Sequence, residues 1–171
     1  MTILTTERLI LSPVAVADYD DLCALWANPT FTQYIMGHGL TPEDVWFRLL
    51  RDLGHWQAMG YGNWSIRLKD GGAYVGSVGV LDYHRDLDPP FDAPELGWGV
   101  APAFQGKGCA AEAVSAALAW ADEVLNAPRT VCMITADNAP SLRLAERVGY
   151  RFYAEGTYKG GTVQLLERRA T

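Results

Sequence analysis

The chain of 171 residues is defined first by what it does not contain. No apolar run approaches the ~20 residues of a membrane-spanning helix, so no membrane partner is expected. The three cysteines, Cys23, Cys109 and Cys132, are scattered and form no C-x-x-C pair. That excludes a disulfide framework and suits reduced thiols. His38, His55 and His84 lie far apart and lack ligand spacing, so no metal is expected. Lys and Arg do not cluster and the net charge is −6, whereas a nucleic-acid binder shows a basic face; no nucleic acid is expected. MTILTTERL has neither a basic start nor an apolar signal core, which points to a cytoplasmic protein. Repeats, low-complexity tracts and linkers are also missing, and the expectation is one domain over residues 1–171.

What is present is normal globular composition, 49% hydrophobic and 20% charged. Residues 2–13 read as a strand anchored by Ile3, Leu9 and Leu11. Ala17 to Trp26 reads as a helix with Leu22, Leu25 and Trp26 on one face. Thr41-Pro42-Glu43-Asp44 is a capped start for a helix running to about Met59. Asn63 to Lys69 and Ala73 to Leu81 flank the turn Asp70-Gly71-Gly72 as a hairpin. Arg85 to Pro94 reads as a loop. Glu95 to Val100 is a strand, Gly108 to Leu125 a helix, and Thr130 to Ala136 a strand. Asn138 starts a last helix that Gly149 ends, and two strands flank Gly160-Gly161. Strands and helices in this order predict an α+β fold with a mixed sheet.

The most informative stretch is ELGWGVAPAFQGKGCAAEAV, from Glu95 to Val114. Glycines between a strand and a helix let backbone N–H groups point one way, and the helix N-terminus adds unpaired donors and partial positive charge. Such a turn receives a phosphate or pyrophosphate, and side chains larger than Gly at 106 and 108 would hinder its approach. A Walker loop is rejected: Ala101 stands where its first Gly belongs and Gly108 where its hydroxyl belongs. The dinucleotide fingerprint G-x-G-x-x-G/A is met by Gly106, Gly108 and Ala111, with Asp137 ending a later strand. Against it, Pro102 to Gln105 separate the glycines from the strand, and the segment comes too late for a doubly wound sheet.

Gln105-x-x-Gly108-x-Ala110 resembles the coenzyme A pyrophosphate loop of the GNAT superfamily of N-acetyltransferases, and the surrounding segment resembles the RimJ/RimL-like branch. Thr6 to Leu11, Phe31 to Ile35, Asn138-Ala139-Pro140-Ser141 and Gly149-Tyr150 continue the likeness over nearly the whole chain. The resemblance implies a mostly antiparallel mixed sheet of about seven strands with helices on both faces. It implies that the strands at Glu95 and Thr130 splay apart around the pantetheine arm. Acetyl-CoA is the expected cosubstrate, held by Trp98, Gly99 and Val100 and by Gln105, Gly106, Lys107, Gly108, Cys109 and Ala110. Asn138 is implied to contact the pantetheine and Ser141 to protonate the leaving thiolate. Ala145 stands where many members carry a Tyr acid, and Ser12 where this branch commonly carries Arg.

Read from the residues alone, Asn138 is also a good helix cap and Ser141 a good first-turn residue. Gly97 and Gly99 mark a close backbone approach or relieve crowding near Trp98. Glu95 is the candidate general base for an amine that is mostly protonated near neutrality; the alternative is a solvated strand-end carboxylate. Cys109 is read as a small packing residue. Trp46, Trp56 and Trp64 are read as core, with a pocket wall as the alternative. The expected activity is acetyl transfer to a primary amine, a protein N-terminus or a small molecule, by a monomer or homodimer. A catalytically silent acyl-CoA-binding regulatory module is the competing class.

Overall fold

The structure, a computed structural model, describes residues 1–171. The elements are β1 (Leu4–Thr5), β2 (Leu9–Pro13), α1 (Tyr19–Ala27), α2 (Pro29–Thr32), α3 (Pro42–Met59), β3 (Asn63–Leu68), β4 (Tyr74–Leu81), β5 (Leu87–Asp88), β6 (Glu95–Val100), α4 (Cys109–Glu123), β7 (Arg129–Ile134), α5 (Ala139–Arg147), β8 (Arg151–Tyr158) and β9 (Gly161–Arg169). All strands join one sheet in the order β1-β2-β3-β4-β6-β7-β9-β8-β5. Every junction is antiparallel except β6–β7. The expected α+β class and mixed sheet hold, but there are nine strands and not about seven. The two additions have two residues each. The single strand expected over residues 2–13 breaks because the Thr6 hydroxyl takes the Leu9 N–H at 3.0 Å, folding β1 back on β2. β5 lies inside the stretch expected as loop and pairs Leu87 with Tyr158.

Local chemistry sets the boundaries as the sequence indicates. Thr41 Oγ1 accepts the Asp44 N–H, the Asp44 carboxylate accepts the Thr41 N–H, and α3 stops at Gly60, whose φ is +76°. Gly71 and Gly72, at φ +80° and +72°, turn the β3–β4 hairpin.

Alternation along the strands gives the sheet two faces. On one, Leu11, Ile66, Trp64, Val78 and Leu96 meet Ala113, Val114, Ala117 and Trp120 of α4 in one buried cluster. Trp64 packs edge-on against both Trp56 and Trp120, so these tryptophans are core. A fully buried Leu or Val contributes about 1.5–3 kcal/mol, so this face carries most of the stability. The other face is polar near its centre. Ser65 and Arg67 bond Asp18 in the turn before α1, and Asn63 bonds Asp52 of α3. Glu95, Gly97 and Gly99 lie on this second face.

Candidate active site

β6 is paired along its whole length with β4, from Glu95 opposite Leu81 to Val100 opposite Gly76. Its other edge meets β7 at one position, Glu95 opposite Val131. There the Val131 N–H reaches the Pro94 carbonyl at 3.0 Å, and beyond it the strands diverge. The Ala101 N–H donates to Val75 O at 2.8 Å. Peptide groups alternate direction along a strand, so those of Glu95, Gly97 and Gly99 face β4. Trp98 and Val100 therefore turn their N–H groups into the splay between β6 and β7. Gln105 Nε2 occupies the Val100 carbonyl at 3.2 Å. Gly99 serves the other face: a Cβ there would lie 2.8 Å from the Phe31 ring.

Beyond the splayed end of β6, residues 101–104 lead into the glycine turn. Gly106 and Gly108 have φ +73° and +80°, and Gly108 is the residue from which α4 starts. The N–H groups of Cys109, Ala110 and Ala111 have no partner one turn back. A Cβ at Gly106 would meet nothing within 4 Å, so backbone conformation, not crowding within the protein, requires glycine there. Cys109 is buried in the core cluster. The Lys107 side chain reaches over the Phe104 ring, and its carbonyl accepts Arg8 Nη1 at 2.9 Å. Arg8 Nε also meets Glu112 Oε2 at 2.7 Å, while Glu112 Oε1 takes the Thr6 hydroxyl at 2.6 Å and the Arg8 N–H at 2.8 Å. This clamp ties the turn before β2 to the first turn of α4.

Across the splay, Asn138 caps α5 by accepting the Ser141 N–H at 3.3 Å. The Ser141 hydroxyl has no partner within the protein and is half-buried, and Ala145 is fully buried. The segment from Phe31 of α2 to Tyr34 beyond it reaches both lips. Phe31 lies on Gly99, and the Tyr34 carbonyl accepts the Thr135 hydroxyl at 3.4 Å.

Glu95 is not solvated: it is 6% exposed, and Arg85 Nε donates to its Oε2 at 2.6 Å. Its Oε1 receives no hydrogen bond from the protein. Arg85 Nη1 continues to the Tyr158 hydroxyl at 3.0 Å. Burial works against the Arg85 charge, yet the bond and charge of Glu95 hold its pKa above the ordinary value. Beside this pair opens a cleft of ≈ 550 Å³ lined by Tyr61, Tyr83, His84, Phe91 and Glu95 among others. Behind it, Asp52 accepts the Tyr83 hydroxyl at 2.5 Å and Asn63 Nδ2 at 3.1 Å. Burial first, and then the Asp52 charge, push the Tyr83 phenol upward. His55 accepts the Asp82 N–H on Nε2 at 3.0 Å and meets the Tyr61 carbonyl on Nδ1 at 2.7 Å. These partners assign it as the neutral tautomer with the proton on Nδ1. His38 and His84 are exposed loop residues.

Residues 8–151 match the family model described as acetyltransferase (GNAT) domain. The chain belongs to the GNAT acetyltransferase family. A putative GNAT-family acetyltransferase from Bordetella pertussis is 38% identical, with 98% of this chain and 99% of that one covered at a TM-score of 0.85. An uncharacterized N-acetyltransferase, p20, of Bacillus licheniformis is 26% identical over 88% of this chain and 83% of its own length. RimL, a ribosomal L7/L12 α-N-protein acetyltransferase solved with coenzyme A, shares the fold at a TM-score of 0.79; it is 17% identical with 98% of each chain covered. In this GNAT acetyltransferase β6 carries Trp98 and Val100 and leads into the 105–110 turn, while Asn138 and Ser141 stand at the start of the helix that follows β7. The clamp of Thr6, Arg8 and Glu112 was not legible beforehand. Its one local signal was an acid in the first turn of α4. The Asp52–Tyr83–Asn63 cluster gave none, because its members come from a helix, a strand and the loop after β4.

Proposed function

We propose that this chain transfers the acetyl group of acetyl-CoA to a primary amine by direct attack in a ternary complex, as one domain spanning residues 1–171. The observation that carries the reading is the single-pair junction of β6 and β7, which turns two unpaired N–H groups of β6 toward a glycine turn at a helix N-terminus. Unpaired strand N–H groups suit an extended arm bearing amide groups, and helix-terminal N–H groups suit its pyrophosphate. In this reading the N–H groups of residues 105–110 hold the pyrophosphate. Those of Trp98 and Val100 receive the pantetheine and the thioester oxygen, where developing negative charge is stabilised. Asn138 borders the arm.

The Ser141 hydroxyl passes a proton to the departing sulfur and takes one back from water as the new C–N bond replaces the C–S bond. Glu95 Oε1 takes the proton lost by the amine, directly or through water. The RimL enzyme's coenzyme A complex supports the choice of cosubstrate, and p20's name supports nitrogen as the acetylated atom. The test is thiol release from acetyl-CoA with a panel of amines, with the product identified by mass spectrometry. Transfer to at least one amine is expected. Binding of acetyl-CoA without transfer to any amine would favour the silent binding module.

A further inference from the structure

α3 presents Arg48, Arg51, Asp52 and His55 at positions i, i+3, i+4 and i+7, so they share one stripe. Three of the four are engaged with the polar wall above β6. Arg51 pairs with Asp52 at 2.9 Å and stacks on Tyr83, with Cζ 4.2 Å from the ring centre. Asp52 also holds Tyr83 and Asn63, and His55 holds the Asp82 N–H. Arg48, one turn nearer the start of α3, has neither an ion pair nor a hydrogen bond within the protein. It is half-buried, and its guanidinium lies 4.2 Å over the Trp26 ring. Trp26 meets Phe31 edge-on at 5.1 Å, and Phe31 lies on Gly99 of the strand assigned to the thioester. Two aromatic rings therefore connect Arg48 to β6.

The charge of this wall is uneven. Both of its buried carboxylates already have a cationic partner, Glu95 in Arg85 and Asp52 in Arg51, and Asp52 holds Tyr83 and Asn63 as well. Of the arginines on this stripe and wall, Arg51 and Arg85 are ion-paired and Arg48 is not. Desolvation, and then the neighbouring Arg51, lower its pKa to about 10, so it stays cationic at neutral pH. A partly desolvated guanidinium with all its donors free matches a planar carboxylate, which it binds with two parallel N–H···O bonds. A polyamine would need several free carboxylates; of those lining the cleft, Glu95 and Asp92 have arginine partners, which leaves only Asp82 without one.

We propose that Arg48 binds a carboxylate of the acceptor, making the acceptor a small amine that also carries a carboxylate. This rests on the amine-acetylation reading above and narrows its substrate.

The test compares amino carboxylates of increasing chain length with their carboxamides, with the corresponding amines lacking the acid, and with spermidine. Wild type, Arg48→Gln and Arg48→Lys are measured with acetyl-CoA. For wild type, kcat/KM is expected to be at least tenfold higher for an amino carboxylate than for its carboxamide. In Arg48→Gln that ratio should fall toward one, chiefly through KM for the acid, with Arg48→Lys between the two. Melting temperatures and acetyl-CoA affinity of the variants check that the loss is not one of folding. Equal use of acids and amides by wild type, or a ratio that survives in Arg48→Gln, overturns the inference. So does preferential acetylation of spermidine or an acidic protein N-terminus, with the transferase reading left standing. Transfer to no amine at all overturns both.

Discussion

Glu95 sits at the foot of β6 with Arg85 on one carboxylate oxygen and the other oxygen free of protein donors. A substitution there tests two things at once. Glu95→Gln should remove proton acceptance and also leave the Arg85 charge buried without its partner, at about 3 kcal/mol of stability. We expect a lower melting temperature and a large loss of kcat/KM near neutrality, partly recovered at higher pH where more of the acceptor is already neutral. The double change Glu95→Gln with Arg85→Met should regain stability without regaining rate. Recovery of rate by the double change would remove Glu95 as the base. Ser141 is the opposite case, since its hydroxyl supports no other group. Ser141→Ala should leave the melting temperature and the acetyl-CoA dissociation constant unchanged and lower kcat roughly 10²-fold. Unaltered turnover would make it a first-turn residue only. Both positions are candidates on sequence alone, but the burial of Glu95 was not legible there. It depends on Arg85, ten residues earlier in a stretch that gives no periodic signal, being folded back over the sheet by β5.

The glycine turn and α4 act as one element, and the clamp from the N-terminal strands holds them in place. Gly108→Val would force a β-branched residue to φ +80° and bring its Cβ to 3.2 Å from Arg8 Nη2. Calorimetry should show acetyl-CoA affinity reduced at least tenfold, about 1.4 kcal/mol, with stability also lowered by about 1–3 kcal/mol from backbone strain. Unchanged affinity would reject the turn as the pyrophosphate site. Burial alone would raise the Glu112 carboxyl, but the Thr6 hydroxyl, the Arg8 N–H and the Arg8 guanidinium together hold it below its ordinary 4.5. A depressed carboxyl stabilises the fold above the unfolded-state value and loses that contribution as pH falls through the folded-state value. Wild type should therefore lose stability below about pH 4.5 more steeply than Glu112→Gln, which lacks this titration; parallel acid-melting curves would count against the clamp. The turn and its helix were readable from local spacing of glycine and alanine. The clamp joins residues about a hundred positions apart, and no pattern within either segment requires it.

Over the whole molecule, the order of the long strands and helices followed from periodicity, caps and turn glycines, and the mixed sheet followed from that order. β1 and β5 escaped because two residues cannot show alternation, and each forms only against a partner strand that supplies its register. The splay was expected from the resemblance alone; nothing in the spacing of Gly97 and Gly99 distinguishes it, and the structure gives Gly99 to Phe31 instead. The parting of β6 from β7 also has a consequence for colloidal behaviour. Strand edges with unpaired N–H and C=O groups are templates for another chain, and proteins ordinarily hide them at the rim with charge, proline or a covering loop. Here two such edges face each other in the middle of the sheet, with the segment from Phe31 to Tyr34 touching both lips. A ligand arm that docks as a surrogate strand would guard them, and at a hundredfold excess over its dissociation constant it would add about 2.7 kcal/mol of stability. Light scattering during slow heating should show aggregation delayed by coenzyme A beyond its shift of the melting temperature, and Thr135→Val, which loosens one lip, should aggregate sooner than wild type. The edge proposed to receive the cosubstrate would thus also be the edge through which copies of the protein would otherwise find one another.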